Sequence, residues 1–438
     1  MTIRLQAAWC AVLACVACDA TSTGTESPPS STSTGSADAS TTGETEATTN
    51  ASQTTSEGSA DTGDTDSGWD SSGGGYDTDF ITDTDDPVGC DEWTYTVLEA
   101  GGNAATASAL APVTDGIVLA GSPSSDGVSL RATAGETVWA HEQLAGPDTT
   151  LFVQNVLALD DDTFIVAGRR SGPNPAVVWL AQLNAAGAQA WQHEYGRIDL
   201  SVWAHLDLER HPDGGFVLST TGEGSVGGND LRAIRIDDSG NTLWDLDVGS
   251  GGPIAQNWSR GGMDVMPSGD IVQLTGVAVG LRVVRRSSDG ALQWQQDLST
   301  DTWPRDIVGL PDGDILVLSA DADSSQLNRL DPDGEERWSE RYAYGPNSSL
   351  DSMVWDAEAE RLLVAGETRG IEGPNPTWTR TWVLMLDAEG QLRWEHVGEP
   401  GTPGGALDIL LDPTEHRFVL SAHDDSLHLA EVSGTPCR

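Results

Sequence analysis

Residues 211–222 read HPDGGFVLSTTG, and residues 231–249 read LRAIRIDDSGNTLWDLDVG. The first segment is a tight turn feeding an apolar strand, its Pro, Asp and Gly supplying restricted or positive φ. The second is a strand, an Asp-x-x-Gly turn and a strand that carries a tryptophan. Both recur along the chain. Turn-and-strand segments read VTDGIVLAG (113–121), DDDTFIVAG (160–168), MPSGDIVQLTG (266–276), LPDGDILVLS (310–319), AEAERLLVAG (357–366) and DPTEHRFVLS (412–421). Tryptophan strands carry Trp93, Trp139, Trp191, Trp244, Trp294, Trp338 and Trp394. Each set has seven members. They recur every ~44–56 residues, which is room for four short strands per unit.

One such sheet cannot bury both of its faces. Seven packed face to face in a ring can, and the ring needs no end cap. The expected fold is therefore all-β: a seven-bladed β-propeller of four-stranded antiparallel blades over residues 90–438. The repeated tryptophan is expected to pack between blades. His141, His193 and His396 follow three of these tryptophans by two places. They are read as a structural repeat position, because equivalent positions in different blades lie far apart.

The repeats are circularly offset. The region opens on a lone tryptophan strand, WTYTVLEAGG, from residue 93, and closes on a unit that lacks one. The N-terminal strand is expected to complete the last blade. Cys437 then follows the third strand of that blade and Cys90 precedes the fourth, where other blades have a turn. A Cys90–Cys437 disulfide is predicted, against two free thiols or intermolecular pairing.

The units resemble the tryptophan-bearing repeats of pyrroloquinoline-quinone-type propellers, and the PDGG…D-x-x-G-x-x-x-W repeats of bacterial surface proteins. That resemblance implies the fold and leaves the activity open. Quinoprotein dehydrogenases of that kind have eight blades and a vicinal cysteine pair. Seven repeats and no adjacent cysteines argue against the cofactor, and none is expected.

The chain begins MTIR, continues with a short apolar stretch, and reaches small residues before a cysteine. This suits a cleaved export signal and is too short to span a bilayer. The ending resembles a bacterial lipoprotein signal. That implies residues 1–18 as signal and Cys18 as the acylated residue, with Cys15 as the alternative. A plain secretory signal is the other reading. Residues 19–89 are rich in Ser, Thr, Gly and Asp, with almost nothing to bury, and read as a disordered linker. The chain is expected to be exported and lipid-anchored to the bacterial cell envelope, at the outer membrane or cell surface.

The formal net charge is −46, from 68 acidic and 22 basic residues, and every basic residue is arginine. This argues against nucleic acid and against anionic membrane surfaces as partners. The lack of lysine excludes Schiff-base chemistry and a P-loop. There is no HExxH and no C-x-x-C, and no G-x-S-x-G in the repeat region. No metal site or catalytic residue is assigned. The Asp-rich stretch 61–86 and the fragment Asp331-Pro332-Asp333-Gly334 offer calcium only weakly. The first reads better as solvated chain and the second as a turn.

In an up-and-down blade, the Pro-Asp-Gly and Asp-x-x-Gly turns share one face of the ring, here the turn face. Loops of variable length and content occupy the other, here the variable face, and variable loops on a rigid scaffold commonly carry binding. Three successive inter-blade loops carry Trp-x-(His/Arg): Trp203 with His205, Trp258 with Arg260, and Trp303 with Arg305. These six are the ligand-binding candidates. They suit a sugar ring on indole with polar groups on the cation, or an anion. The structural alternative is that the tryptophans cover blade tops and the arginines pair with carboxylates. The third spacing is one residue shorter, which can turn its side chains to the other face. The expected function is a monomeric, envelope-anchored binding or scaffold module for a protein or polysaccharide at the cell surface. A polysaccharide-active or quinoprotein-like enzyme and an envelope assembly scaffold are the alternatives.

Overall fold

In a computed structural model of the chain, two units separate, residues 1–82 and 83–438. The structure describes residues 93–433, except 101–108, 114–115, 122–126, 133–137, 143–148, 160–162, 173–175, 185–187, 198–205, 224–228, 250–260, 278–279, 346, 371–377, 399–405, 412–416 and 424–425. Residues 1–92, where the sequence leads one to expect the signal and linker with Cys15 and Cys18, lie outside the described residues. So do Cys90 and Cys437.

The described residues form 28 strands in seven four-stranded antiparallel sheets. The chain enters through β1 (Thr94–Ala100). Blade 1 is β2 (Ala109–Val113), β3 (Gly116–Gly121), β4 (Gly127–Ala132) and β5 (Val138–Glu142). Blade 2 is β6 (Thr150–Ala158), β7 (Phe164–Ser171), β8 (Val177–Leu183) and β9 (Gln189–Arg197). Blade 3 is β10 (Leu206–Arg210), β11 (Phe216–Glu223), β12 (Asn229–Ile236) and β13 (Thr242–Gly249). Blade 4 is β14 (Met263–Val265), β15 (Ile271–Val277), β16 (Gly280–Arg286) and β17 (Leu292–Leu298). Blade 5 is β18 (Trp303–Gly309), β19 (Ile315–Ala320), β20 (Ser325–Leu330) and β21 (Glu336–Tyr342). Blade 6 is β22 (Ser348–Asp356), β23 (Arg361–Gly370), β24 (Trp378–Asp387) and β25 (Leu392–Val397). Blade 7 is β26 (Ala406–Leu411), β27 (Arg417–His423) and β28 (Ser426–Ser433), with β1 as its fourth strand. The strands β2, β6, β10, β14, β18, β22 and β26 each contact the next, and β26 contacts β2, so the ring is closed. The offset read from the repeats is present: Thr94 pairs with Ser433 and Tyr95 with Val432.

The two turn families share one geometry. In the Pro-Asp-Gly turn of blade 5, Gly313 N–H donates to Leu310 O and Leu310 N–H to Asp314 O. In its Asp-x-x-Gly turn, Gly334 N–H donates to Asp331 O and Asp331 N–H to Glu335 O. Both glycines have positive φ, 94° and 90°. This is the hairpin in which a left-handed glycine closes a tight turn. The Asp331 carboxylate is engaged in its own turn, accepting from Asp333 N–H at 3.0 Å and Glu335 N–H at 2.9 Å.

The core lies between blades, in clusters that pair one blade's face with the next. Trp191, Trp244, Trp294, Trp338 and Trp394 sit in five successive seams. Trp191, Trp244, Trp294 and Trp338 each meet the following blade at its Asp-x-x-Gly turn. Trp294 Nε1 donates to Pro332 O at 2.8 Å, and a Cβ on Gly334 would stand 3.2 Å from the Trp294 ring. Gly390 stands likewise against Trp338. The tryptophan of one repeat therefore accounts for the glycine of the next, beyond the φ that the turn already demands. Arginines of the third strands extend the same seams: Arg285 donates to Gly313 O and Pro332 O, and Arg329 to Ala388 O. His193 lies 3.1 Å from Ser239 O, and His396 stacks on Tyr95 at 4.3 Å, so this repeat position also reaches the next blade.

Trp93 departs from the pattern. It packs back on Leu363, Ala365, Val383 and Met385 of blade 6, with the Arg361 guanidinium 5.5 Å from its ring centre. In the five other blades just named, a register shift beside the turn offsets the tryptophan strand by one residue. The β1–β28 ladder has no shift at that end, so its side-chain alternation is opposite.

The seam between blades 3 and 4 carries several polar groups. Its apolar cluster is only Val217, Met263 and Ile271, flanked by Trp244 and Val265. Gln273 crosses it to Ser219 at 2.9 Å. His211, 2% exposed, accepts Asp213 N–H on Nδ1 at 3.1 Å, and its Nε2 lies 3.1 Å from Gly269 O. That pairing requires the neutral ring with its hydrogen on Nε2. Among the described residues no helix is long and apolar enough to cross a membrane.

Candidate functional site

The innermost strands enclose an axial cavity of about 870 Å³, to which all seven blades contribute. Its wall is shaped by β-bulges. The ladders of β6, β18 and β22 slip between Val153 and Asn155, Pro304 and Asp306, and Leu350 and Ser352. A bulge bends its strand and re-aims the extra residue. The extra residues are Gln154, Arg305 and Asp351, and all three line the cavity. They lie toward the variable face, where these strands begin. Arg305 NH1 stands 3.0 Å from Asp351 Oδ1 across the blade 5–6 seam, the side chains 15% and 10% exposed.

Two places before the bulge residue, β18 carries Trp303 and β6 carries Phe152. They are 44% and 43% exposed, among the few large apolar side chains left open to solvent. Two exposed aromatic groups thus stand on β6 and β18 at the variable-face ends of the strands, two residues above the cavity-lining Gln154 and Arg305, and neither ring lines the cavity itself.

Deeper, the wall is acidic: Asp207, Glu209, Asp264, Asp306 and Asp408 face the cavity. Three of them hold backbone. Asp306 accepts Ile307 N–H and, from the next blade, Met353 N–H, both at 2.8 Å. Asp408 accepts Ile409 N–H at 2.9 Å and Leu110 N–H at 3.3 Å, joining blade 7 to blade 1. Asp264 accepts Gly309 N–H at 2.7 Å. Charge-assisted bonds to backbone are among the stronger ones, so these carboxylates stitch the inner ring. Burial raises the Asp264 pKa against these bonds. Burial, and then the charges of Asp264, Asp207, Asp306 and Asp408, push Glu209 well above the usual range. Glu209 therefore holds a proton at pH values where an exposed glutamate does not.

Arg305 is the only cation among these lining residues, and Asp351 already engages it. A pyrroloquinoline quinone, itself a polycarboxylate, would meet this acidic wall, and the residues do not fit it. Among the described residues no three His, Cys, Asp or Glu side chains are grouped to hold a metal ion.

Of the six candidate residues, Trp303 and Arg305 are described. The bulge separates them, placing Trp303 on the open rim and Arg305 in the cavity wall. Trp203, His205, Trp258 and Arg260 lie outside the described residues. Phe152, Gln154, Asp351 and Glu209 were not singled out from sequence. Nothing in a single unit announces a bulge, and Phe152 belongs to no Trp-x-Arg motif.

No family model matches the chain, and no curated protein matches its sequence. Solved structures do match. The WD40 β-propeller domain of Doa1 superposes with a TM-score of 0.52 at 11% identity, covering 77% of this chain and 96% of that one. A virginiamycin B lyase from Staphylococcus aureus superposes with a TM-score of 0.50 at 12% identity, covering 77% and 99%. At these identities the likeness is one of fold: the chain is an all-β propeller, an architecture suited to binding and scaffolding.

Proposed function

We propose that this chain is an envelope-anchored binding module that takes a polysaccharide or protein ligand on its variable face, over the mouth of the axial cavity. The observation that carries this is the mouth itself. Exposed Trp303 and Phe152 stand above the inward-turned Gln154, Arg305 and Asp351. Aromatic faces above a small set of directed polar groups suit a pyranose ring, and suit a peptide nearly as well. The test is a glycan array and an envelope-extract pull-down with the mature chain, repeated with Trp303→Ala. A ligand held at the mouth loses affinity with that substitution while the melting temperature holds. Unchanged binding would sink the reading.

A second reading, a polysaccharide-active enzyme, is favoured by Glu209, whose raised pKa suits a general acid. It expects ligand turnover that Glu209→Gln abolishes.

Two further features belong to the same proposal. The lipid anchor is at Cys18, with Cys15 as alternative, and rests on the sequence of the signal. Acyl-chain mass spectrometry on the mature N-terminal peptide tests it. The Cys90–Cys437 disulfide is supported by the β1–β28 register. Cys90 lies four residues before Thr94 and Cys437 four after Ser433, and Thr94 and Ser433 are direct partners. A ladder continued outward at that register sets the two cysteines opposite each other, and peptide mapping without reductant tests the bond.

A further inference from the structure

Arg169 lies on β7, one strand out from the cavity, paired across the ladder with Phe152. Its guanidinium stands 4.9 Å from the centre of the Phe152 ring. It is half-buried, and burial lowers its pKa. The next residue, Arg170, is held by Glu194 at 2.5 Å. Arg169 has no such partner: among the described residues no carboxylate pairs with it, and its buried Nε makes no hydrogen bond. In a chain with 68 acidic residues against 22 arginines, a half-buried guanidinium left unneutralised calls for an explanation.

Strand alternation says where Arg169 faces. Ile165 and Ala167 of β7 pack against Phe216 and Leu218 of blade 3. Two places along each strand, toward the variable face, stand Arg169 and Thr220. By the two-residue period they continue the same facing surfaces. Thr220 is 2% exposed, and its Oγ1 is buried without a partner. Two neighbouring blades thus each bring an unsatisfied polar group to one seam, close to the rim. Buried polar groups in native structures are nearly all satisfied, so each orphan points to something outside the chain's own contacts.

The geometry points to an anion subsite at the rim of the blade 2–3 seam, where Arg169 and Thr220 Oγ1 together hold a carboxylate of an acidic ligand. The aromatic ring occupies one face of the guanidinium, and Nε is buried, which leaves NH1 and NH2 as the donors for a ligand. Those donors match a planar carboxylate with two parallel bonds, and the hydroxyl supplies a third. The chain's strong negative charge repels anions elsewhere, so retention here depends on this built cation alone. The subsite adjoins the channel mouth, since Phe152 belongs to both, but it requires neither Trp303 nor the cavity wall and does not rest on the reading above. Either can fail without the other.

Titration calorimetry on the mature chain, at fixed ionic strength, tests it with glucuronate, glucose and inorganic phosphate. Glucuronate is expected to bind saturably and glucose not to. Arg169→Gln is expected to weaken glucuronate about tenfold or more, the loss of charge-assisted hydrogen bonds. Thr220→Val is expected to weaken it less, while preserving shape. Arg169→Gln should not lower the melting temperature, because it removes an unneutralised cation; a purely structural arginine would show the reverse. Arg393→Gln, which removes an equal charge from an exposed ion pair with Asp387, should leave glucuronate affinity unchanged. Absence of saturable glucuronate binding, or equal affinity in Arg169→Gln, overturns the subsite. Phosphate binding tighter than glucuronate overturns its assignment to a carboxylate.

Discussion

Arg305 and Asp351 face each other at 3.0 Å across the seam between blades 5 and 6, and each is the extra residue of a β-bulge. Two irregularities in adjacent strands thus coincide to form one ion pair in the cavity wall. A double-mutant cycle with Arg305→Met and Asp351→Asn should give a coupling of about 1–2 kcal/mol in urea melts, above the ordinary value for an exposed pair. A coupling near zero would mean that the bulges, and not the pair, fix these side chains.

Gly334 carries both the left-handed turn and the space for Trp294. Gly334→Ala should cost about 1–2 kcal/mol from backbone strain, plus the displacement of the indole. Trp294→Phe, which gives up the bond to Pro332 O, should recover part of the second cost. A double variant no more stable than the sum of the singles would show that the two are not coupled.

His211 is held neutral between the blade 3 turn and Gly269. Burial, and then Arg235, lower its pKa; the Gly269 bond and Asp213 only partly oppose this. A lowered pKa means that the unfolded chain takes up a proton first as pH falls. The stability that His211 contributes is full above about pH 6.5 and is lost as pH falls toward the folded value. Stability measured from pH 7.5 to 5 should decline less steeply in His211→Gln than in the parent chain.

Glu209 behaves in the opposite sense. Its raised pKa means that the folded chain keeps a proton the unfolded chain has released, so the cost of burying Glu209 grows as pH rises above the ordinary glutamate value. Glu209→Gln should therefore stabilise the chain at pH 7–8 by about 1.4 kcal/mol per unit of separation. The gain should vanish near pH 4. A stabilisation independent of pH would place the carboxylate in solvent.

Reduction of a Cys90–Cys437 bond should lower stability by about 2–5 kcal/mol, as loss of a long-loop disulfide does. Cys90→Ser and Cys437→Ser should match each other and the reduced parent chain. Different values for the two single variants would point to separate thiols.

Most of the architecture was legible because each unit repeats the same physics. Pro, Asp or Gly marks most turns, a continuously buried apolar strand follows, and an indole recurs at the seam with the next blade. The place of Trp93 was not legible, because the register shift that aims the other tryptophans is a property of the ladder between two strands. The same limit hid the site. Trp303 and Arg305 read as one motif, yet a bulge sends one to the rim and the other into the wall. Arg169 gave no signal at all. It stands in an ordinary strand, and only the packed seam shows that no carboxylate among the described residues reaches it.

The pairing of Thr94 with Ser433 has a mechanical consequence. The chain enters the ring on the turn face, at the outermost strand of blade 7, beside the place where it leaves. A pull on the segment before residue 93, directed away from the variable face, runs along the axis of β1. Such a force loads the bonds between β1 and β28 together, in shear, and does not unzip them one by one. A ring tethered this way would resist drag on a captured ligand better than one hung from a hairpin tip, and a covalent bond just outside Thr94 and Ser433 would carry the load before any hydrogen bond did.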